Sequence, residues 1–170
     1  VYSTISGNTK AVCERIYGAL NAEKEILAEI TNKNLEKWVL ADAVKWRDVF
    51  VWVSVAWALT SEMVKSMSSD PMIFAMANPI PEIMPDEAKK AWARIIATWR
   101  SDFPNQLNNV LVFPGIFKWA LQNRVTKITD EMKIKAAEWL AAFVENPTPE
   151  KIIPSPFEDW IADAIARVVK

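Results

Sequence analysis

The sequence predicts an α/β chain: a parallel sheet flanked by helices, followed by a helical C-terminal tail. Three observations lead there. Apolar, β-prone runs at 48–55, 72–77 and 94–98 alternate with stretches of helical character, an order that favours parallel strands joined by crossover helices. The first run is nearly continuous in Val, Phe and Trp, as a strand buried on both faces requires. The last fifty residues or so carry helical stripes and caps instead of strand patterns.

Taken in order, Val1-Tyr2 reads as the tail of a strand, and 3–9 as a hydroxyl-rich turn. Val12, Ile16 and Leu20 recur every fourth residue, which is one face of a helix. Residues 23–31 extend or restart it, 32–34 turn, and 40–45 form a short helix. After the strand at 48–55, Thr60 is the expected N-cap of a helix with Met63, Val64 and Met67 inward. Asp70-Pro71 ends it, and the strand at 72–77 closes on Asn78-Pro79. Pro85 opens a helix to about residue 92, with Asp86 and Glu87 where the helix dipole favours them. Beyond the strand at 94–98, residues 103–121 read as a helix interrupted at Pro114-Gly115. Thr129 caps the next helix, lined by Met132, Ala136, Leu140 and Phe143. Ser155-Pro156-Phe157-Glu158 is a capping box, and Ile161, Ile165 and Val168 line the helix it opens.

Composition bounds the function. The 170 residues are expected to form a single domain, 1–170, with 51% hydrophobic and 24% charged residues, which suits a globular core. A net charge of −1 gives no electrostatic case for nucleic acid or an acidic membrane. The longest nearly apolar run, 49–59, is too short to cross a bilayer, and no signal peptide is read at the N-terminus. Cys13 is the single cysteine, so no internal disulfide forms; it is read as a packing residue in a reducing, cytoplasmic compartment. Without histidine there is no Ser-His or Cys-His nucleophile and no His-based metal site.

One feature is abnormal. There are three glycines, far below the usual ~7%, and nine tryptophans. Trp38, Trp46, Trp52, Trp57, Trp92, Trp99 and Trp119 stand where an α/β protein turns or packs tightly. Tryptophan adopts positive φ only at a cost, and it adds bulk where glycine adds none. The pattern suggests an altered or engineered sequence.

Two stretches carry candidate chemistry. The first is the turn at Thr4, Ser6, Gly7, Asn8 and Thr9, between a strand and a helix, where backbone N–H groups could cradle a phosphate. It resembles the FMN-phosphate loop of flavodoxins over residues 1–20, which implies FMN as a cofactor. The second is the amide-rich turn after the strand at 94–98, with Asn105, Asn108 and Asn109 close together. Asn in such places serves turns and caps more often than ligands. Glu82 and Asp102 are available carboxylates that nothing in the sequence pairs for acid–base work.

From Asn21 to Lys170 the chain resembles the C-terminal part of the NAD(P)-binding domain of malic enzymes, of the shorter bacterial and archaeal kind. The carrying segments are Leu40-Ala41-Asp42-Ala43-Val44, Val53-Ser54-Val55, the run from Asp70-Pro71 through Ala77-Asn78-Pro79-Ile80-Pro81-Glu82-Ile83, Arg100-Ser101-Asp102-Phe103-Pro104-Asn105-Gln106 with Asn108-Asn109, Phe113-Pro114-Gly115, and Ile152-Ile153-Pro154-Ser155-Pro156-Phe157. The resemblance implies an incomplete Rossmann-like domain and oxidative decarboxylation of malate to pyruvate with NAD or NADP and a divalent metal, Mg or Mn. It implies Ser54 and Asn78 as cofactor-binding and Asn108 and Asn109 as substrate-binding, with Asn109 foremost. Its partners would be malate and pyruvate, with a homo-oligomer or the missing part of the enzyme. The glycine-rich dinucleotide fingerprint, the metal ligands and the proton-transferring Tyr and Lys of the family are not found, so no catalytic residue is assigned. Family glycines are replaced by Trp52, Trp57, Trp99 and Trp119, and a family arginine by Lys118. The alternatives are a flavodoxin-like FMN-binding electron carrier and a chimeric, non-catalytic scaffold.

Overall fold

The computed structural model describes residues 40–158 and 160–168. The turn at Thr4, Ser6, Gly7, Asn8 and Thr9, residue Cys13 and the helices expected before residue 35 lie outside the described residues. The chain divides into two compact units, Val1–Arg94 and Ile95–Lys170.

The first unit holds α1 (Leu40–Ala43), β1 (Val49–Trp52), α2 (Ser61–Lys65), β2 (Met72–Ala75) and α3 (Pro85–Lys90). β1 and β2 are parallel, paired from Val49 with Met72 to Trp52 with Ala75. Phe50, Ile73 and Ala75 are buried, as the apolar runs require. β1 is shorter than the run 48–55 suggests. Past Trp52 the chain leaves the ladder, Val53 and Val55 are each 66% exposed, and the Ser54 N–H turns to a side-chain carboxylate. Thr60 caps α2 as expected, accepting the Met63 N–H at 3.3 Å. Pro85, Asp86 and Glu87 occupy the first turn of α3, and Lys89 and Lys90 the last, so both ends suit the helix dipole.

The second unit holds β3 (Ile95–Thr98), a 3₁₀ turn (Asn109–Leu111), α4 (Phe113–Gln122), α5 (Asp130–Phe143) and α6 (Ile161–Val168). Its core is Leu111, Ile116, Ala136, Leu140, Ile161 and Ile165. Residues 103–121 are not one interrupted helix. Residues 103–108 are non-helical, and Pro114 sits in the first turn of α4, where its missing N–H leaves no helical bond unmade. Gly115 permits close packing: a Cβ there would lie 2.6 Å from Ile165 Cβ and 2.7 Å from the Ala162 carbonyl oxygen. Lys118 bonds Asp163, tying α4 to α6. Thr129 caps α5, accepting the Met132 N–H at 3.4 Å. Glu158 does reach back to the Ser155 N–H at 3.2 Å, but the box folds as a turn and α6 starts at Ile161.

Backbone conformation separates the tryptophans. Among the described residues, φ is positive at Trp46 (63°), Trp57 (64°) and Trp92 (71°), and also at Asn105 and Arg124. Those three tryptophans are 82%, 54% and 71% exposed. Trp52, Trp99 and Trp119 need no left-handed backbone. Trp52 stacks on Phe50 with ring centroids 5.6 Å apart, and Trp119 packs against the second unit's core.

Candidate functional site

In the first unit, the candidate groups sit just past the carboxyl ends of β1 and β2, where open parallel sheets bind ligands. Ser54 follows β1 and Asn78 follows β2; both are exposed, and their side chains make no hydrogen bond among the described residues. The Asn78–Pro79 peptide is cis. Beneath them lies Glu82, fully buried. Its Oε1 accepts the Ser54 N–H at 2.8 Å, and its Oε2 accepts the Ala77 N–H at 3.0 Å. The backbone alongside adds the Trp57 N–H to the Pro81 carbonyl at 3.2 Å and the Leu59 N–H to the Glu82 carbonyl at 3.0 Å. A buried carboxylate is costly unless strong donors meet it, and here two backbone amides do. Glu82 is therefore not a free carboxylate. Sequence reasoning missed this role; the available signal was an acid flanked by Pro81 and Ile83 in an otherwise apolar approach to α3.

In the second unit, the asparagines divide by role. Asn105 is buried at φ 56°. Its Nδ2 donates to the carbonyls of Ile96 at 3.0 Å and Pro149 at 2.7 Å, and its Oδ1 accepts the Ile152 N–H at 2.9 Å. Asn108 is half-buried and caps the 3₁₀ turn, accepting the Val110 N–H at 3.0 Å. Asn109 is exposed, and its side-chain amide has no hydrogen bond among the described residues. Asp102 is paired too: Arg100 Nε and Nη2 bond its two oxygens at 2.8 and 2.6 Å. Those hydrogen bonds, and the guanidinium charge behind them, hold the Asp102 carboxyl below its ordinary range.

Chemically, these are hydrogen-bonding groups. Ser54, Asn78, Asn108 and Asn109 can orient a polar ligand, and none can exchange a proton near neutral pH. Among the described residues, no three His, Cys, Asp or Glu side chains come together to hold a metal ion. The described residues therefore do not supply a ligand set for the family's metal. No described helix is long and apolar enough to cross a membrane.

A family model described as the malic enzyme NAD binding domain matches residues 93–168. The bifunctional malic/malolactic enzyme of Bacillus subtilis is 49% identical over 161 residues, which is 94% of this chain and 39% of that protein. The chain belongs to the malic enzyme family. Its fold agrees: the crystal structure of the NAD-dependent malic enzyme of Thermotoga maritima aligns with a TM-score of 0.73 at 46% identity, covering 77% of this chain and 34% of that one. An NADP-dependent malic enzyme of Rhizobium meliloti is 44% identical over 153 residues, 79% of this chain and 20% of that protein. The chain thus spans well under half the length of these relatives. The α/β, Rossmann-like class read from the sequence is that of the malic enzymes, and the match reaches into residues 1–20. None of these malic enzyme relatives supports an FMN-binding protein.

Proposed function

We propose that the chain supplies cofactor- and substrate-binding loops to an NAD(P)-dependent malic enzyme that converts malate to pyruvate by oxidative decarboxylation. The observation that carries this reading is the 49% identity maintained over 94% of the chain. The geometry supports it through four polar side chains at loops that a ligand can reach. Ser54 and Asn78, past the ends of β1 and β2, bind the dinucleotide. Asn109 hydrogen-bonds malate with its free amide, and Asn108, its own oxygen engaged by the turn, has an Nδ2 to offer beside it.

These residues bind and orient. The proton-transfer groups and metal ligands of the family are not among the described residues, so turnover rests on a homo-oligomer or on the rest of a malic enzyme. The proposed setting is cytoplasmic, in keeping with the lone Cys13. Both NAD- and NADP-dependent relatives match well, so the first experiment uses both nucleotides. Isothermal titration of the chain with NAD, NADP and malate is expected to give heat with at least one. Silence with all three would sink the proposal.

A further inference from the structure

The Ser54–Glu82–Ala77 arrangement has more than a structural use. Glu82 reaches across 28 positions to Ser54 and five to Ala77. One bonded amide belongs to Ser54 itself, and the other belongs to the residue before Asn78. Both side chains assigned to the dinucleotide thus hang from backbone that a single carboxylate holds. The carboxylate is wholly buried, both its oxygens are occupied, and it touches no solvent. It cannot meet a ligand or transfer a proton without giving up those bonds.

We propose that Glu82 is the positioning residue of the cofactor loops: its two oxygens clamp the segments after β1 and β2 and fix the spacing of Ser54 and Asn78. The inference rests on the assignment of those two residues to the dinucleotide. A planar carboxylate offers two acceptors in a rigid pair, and no neutral side chain reproduces that. Glutamine keeps the shape but turns one acceptor into a donor facing an N–H, so one of the two loops is released. Aspartate keeps the charge, yet it is one methylene short and reaches one amide only.

The test compares the chain with Glu82→Gln, Glu82→Asp and a control, Val64→Ala, which removes buried volume from α2 and leaves both Glu82 hydrogen bonds in place. Each protein is titrated with NAD and NADP, and its thermal midpoint and amide hydrogen exchange are measured. Glu82→Gln is expected to weaken nucleotide binding about tenfold, as losing one charge-assisted hydrogen bond does. Amide exchange should speed up selectively at Ser54 or Ala77. Glu82→Asp should fall between it and the parent, and it carries the test if the glutamine variant does not fold. Val64→Ala should lower the thermal midpoint and leave affinity unchanged. Glu82 variants that are less stable but bind as tightly as the parent would overturn the proposal and leave the malic enzyme reading standing. A parent chain that binds neither nucleotide would remove this inference, and the reading it rests on falls with it if malate is silent as well.

Discussion

The Asn105 side chain donates to the Pro149 carbonyl at 2.7 Å, joining residues 44 positions apart. With its bonds to Ile96 and Ile152, this one amide closes the turn after β3 onto the segment that leads into α6. Asn105→Ala leaves the Ile96 and Pro149 carbonyls and the Ile152 N–H without their partner in a part-buried setting, and it keeps the left-handed backbone without a side chain suited to it. An unsatisfied buried polar group costs about 1–3 kcal/mol, so the total loss should be about 2–4 kcal/mol. Asn105→Gly relieves the backbone and still loses the bonds. Urea unfolding should place both variants well below the parent, with glycine the less harmful. Equality of Asn105→Ala with the parent would show that the three bonds contribute nothing.

Trp46, Trp57 and Trp92 hold backbone conformations that suit glycine. A left-handed conformation costs a non-glycine residue roughly 1–2 kcal/mol, and their exposed rings recover little of it by burial. Glycine returns about 0.5–1 kcal/mol of that through the freedom of the unfolded chain. Each Trp→Gly change should therefore stabilise by roughly 0.5–1 kcal/mol. Position 92 should gain least, because Lys65 lies 5.9 Å from its ring centroid and that contact is worth about 0.5 kcal/mol at an exposed site. The three positions sit in separate turns, after α1, β1 and α3, so the gains should add. A triple variant no more resistant to urea than the parent would contradict this account.

How much of the fold and the site is legible in the sequence depends on the kind of signal. The strands β1, β2 and β3, the Thr60 and Thr129 caps and the Pro85 helix start are readable because each rests on local chemistry: β-branched runs, hydroxyl caps and proline at a first turn. The end of β1 is easily overestimated, because Val53 and Val55 look like strand residues until the Glu82 carboxylate claims the Ser54 amide. Pro114 reads as an interruption because sequence alone does not say on which side of a proline a helix lies. Glu82 and Asn105 are opaque for a common reason: their partners are backbone amides and carbonyls, up to 28 positions away for Glu82 and 47 for Asn105, and backbone groups leave no mark on composition. The excess of tryptophan is visible at once, yet which of them bear left-handed backbone is not; the bulky residues at 52, 99 and 119 sit in ordinary conformations.

Two exposed, ion-paired carboxylates contribute to the acid behaviour. The hydrogen bonds from Arg100 hold Asp102 below its ordinary value of 3.8, and the hydrogen bond and charge of Lys118 do the same for Asp163. A carboxyl depressed on folding binds fewer protons folded than unfolded as the pH falls. Its contribution is therefore present above 3.8 and is lost as the pH drops through the depressed value. Asp163→Asn should make the loss of stability below that point shallower, while changing stability near neutral pH little, as expected of a solvent-screened pair. High salt should shrink the difference between variant and parent. Urea midpoints measured down through pH 3.8 in low and high salt would reveal it, and parallel acid limbs for variant and parent would rule out the linkage.

Asn108 and Asn109 are neighbours with different hydrogen-bond partners, and that difference makes them separable. Asn108 Oδ1 holds the Val110 N–H at the start of the 3₁₀ turn, so Asn108→Ala removes a cap and should cost about 0.5–2 kcal/mol. The exposed Asn109 side chain makes no hydrogen bond among the described residues, so Asn109→Ala should change stability by no more than about 0.5 kcal/mol. If Asn109 binds malate, as proposed, its loss should weaken malate binding about tenfold, in line with the removal of one hydrogen bond to a charged ligand. Stability and affinity should therefore move independently at the two positions: urea midpoint first at Asn108, malate affinity first at Asn109. Asn109→Ala that lowers the urea midpoint as much as Asn108→Ala while binding malate as well as the parent would assign it to the turn and remove it from the substrate site.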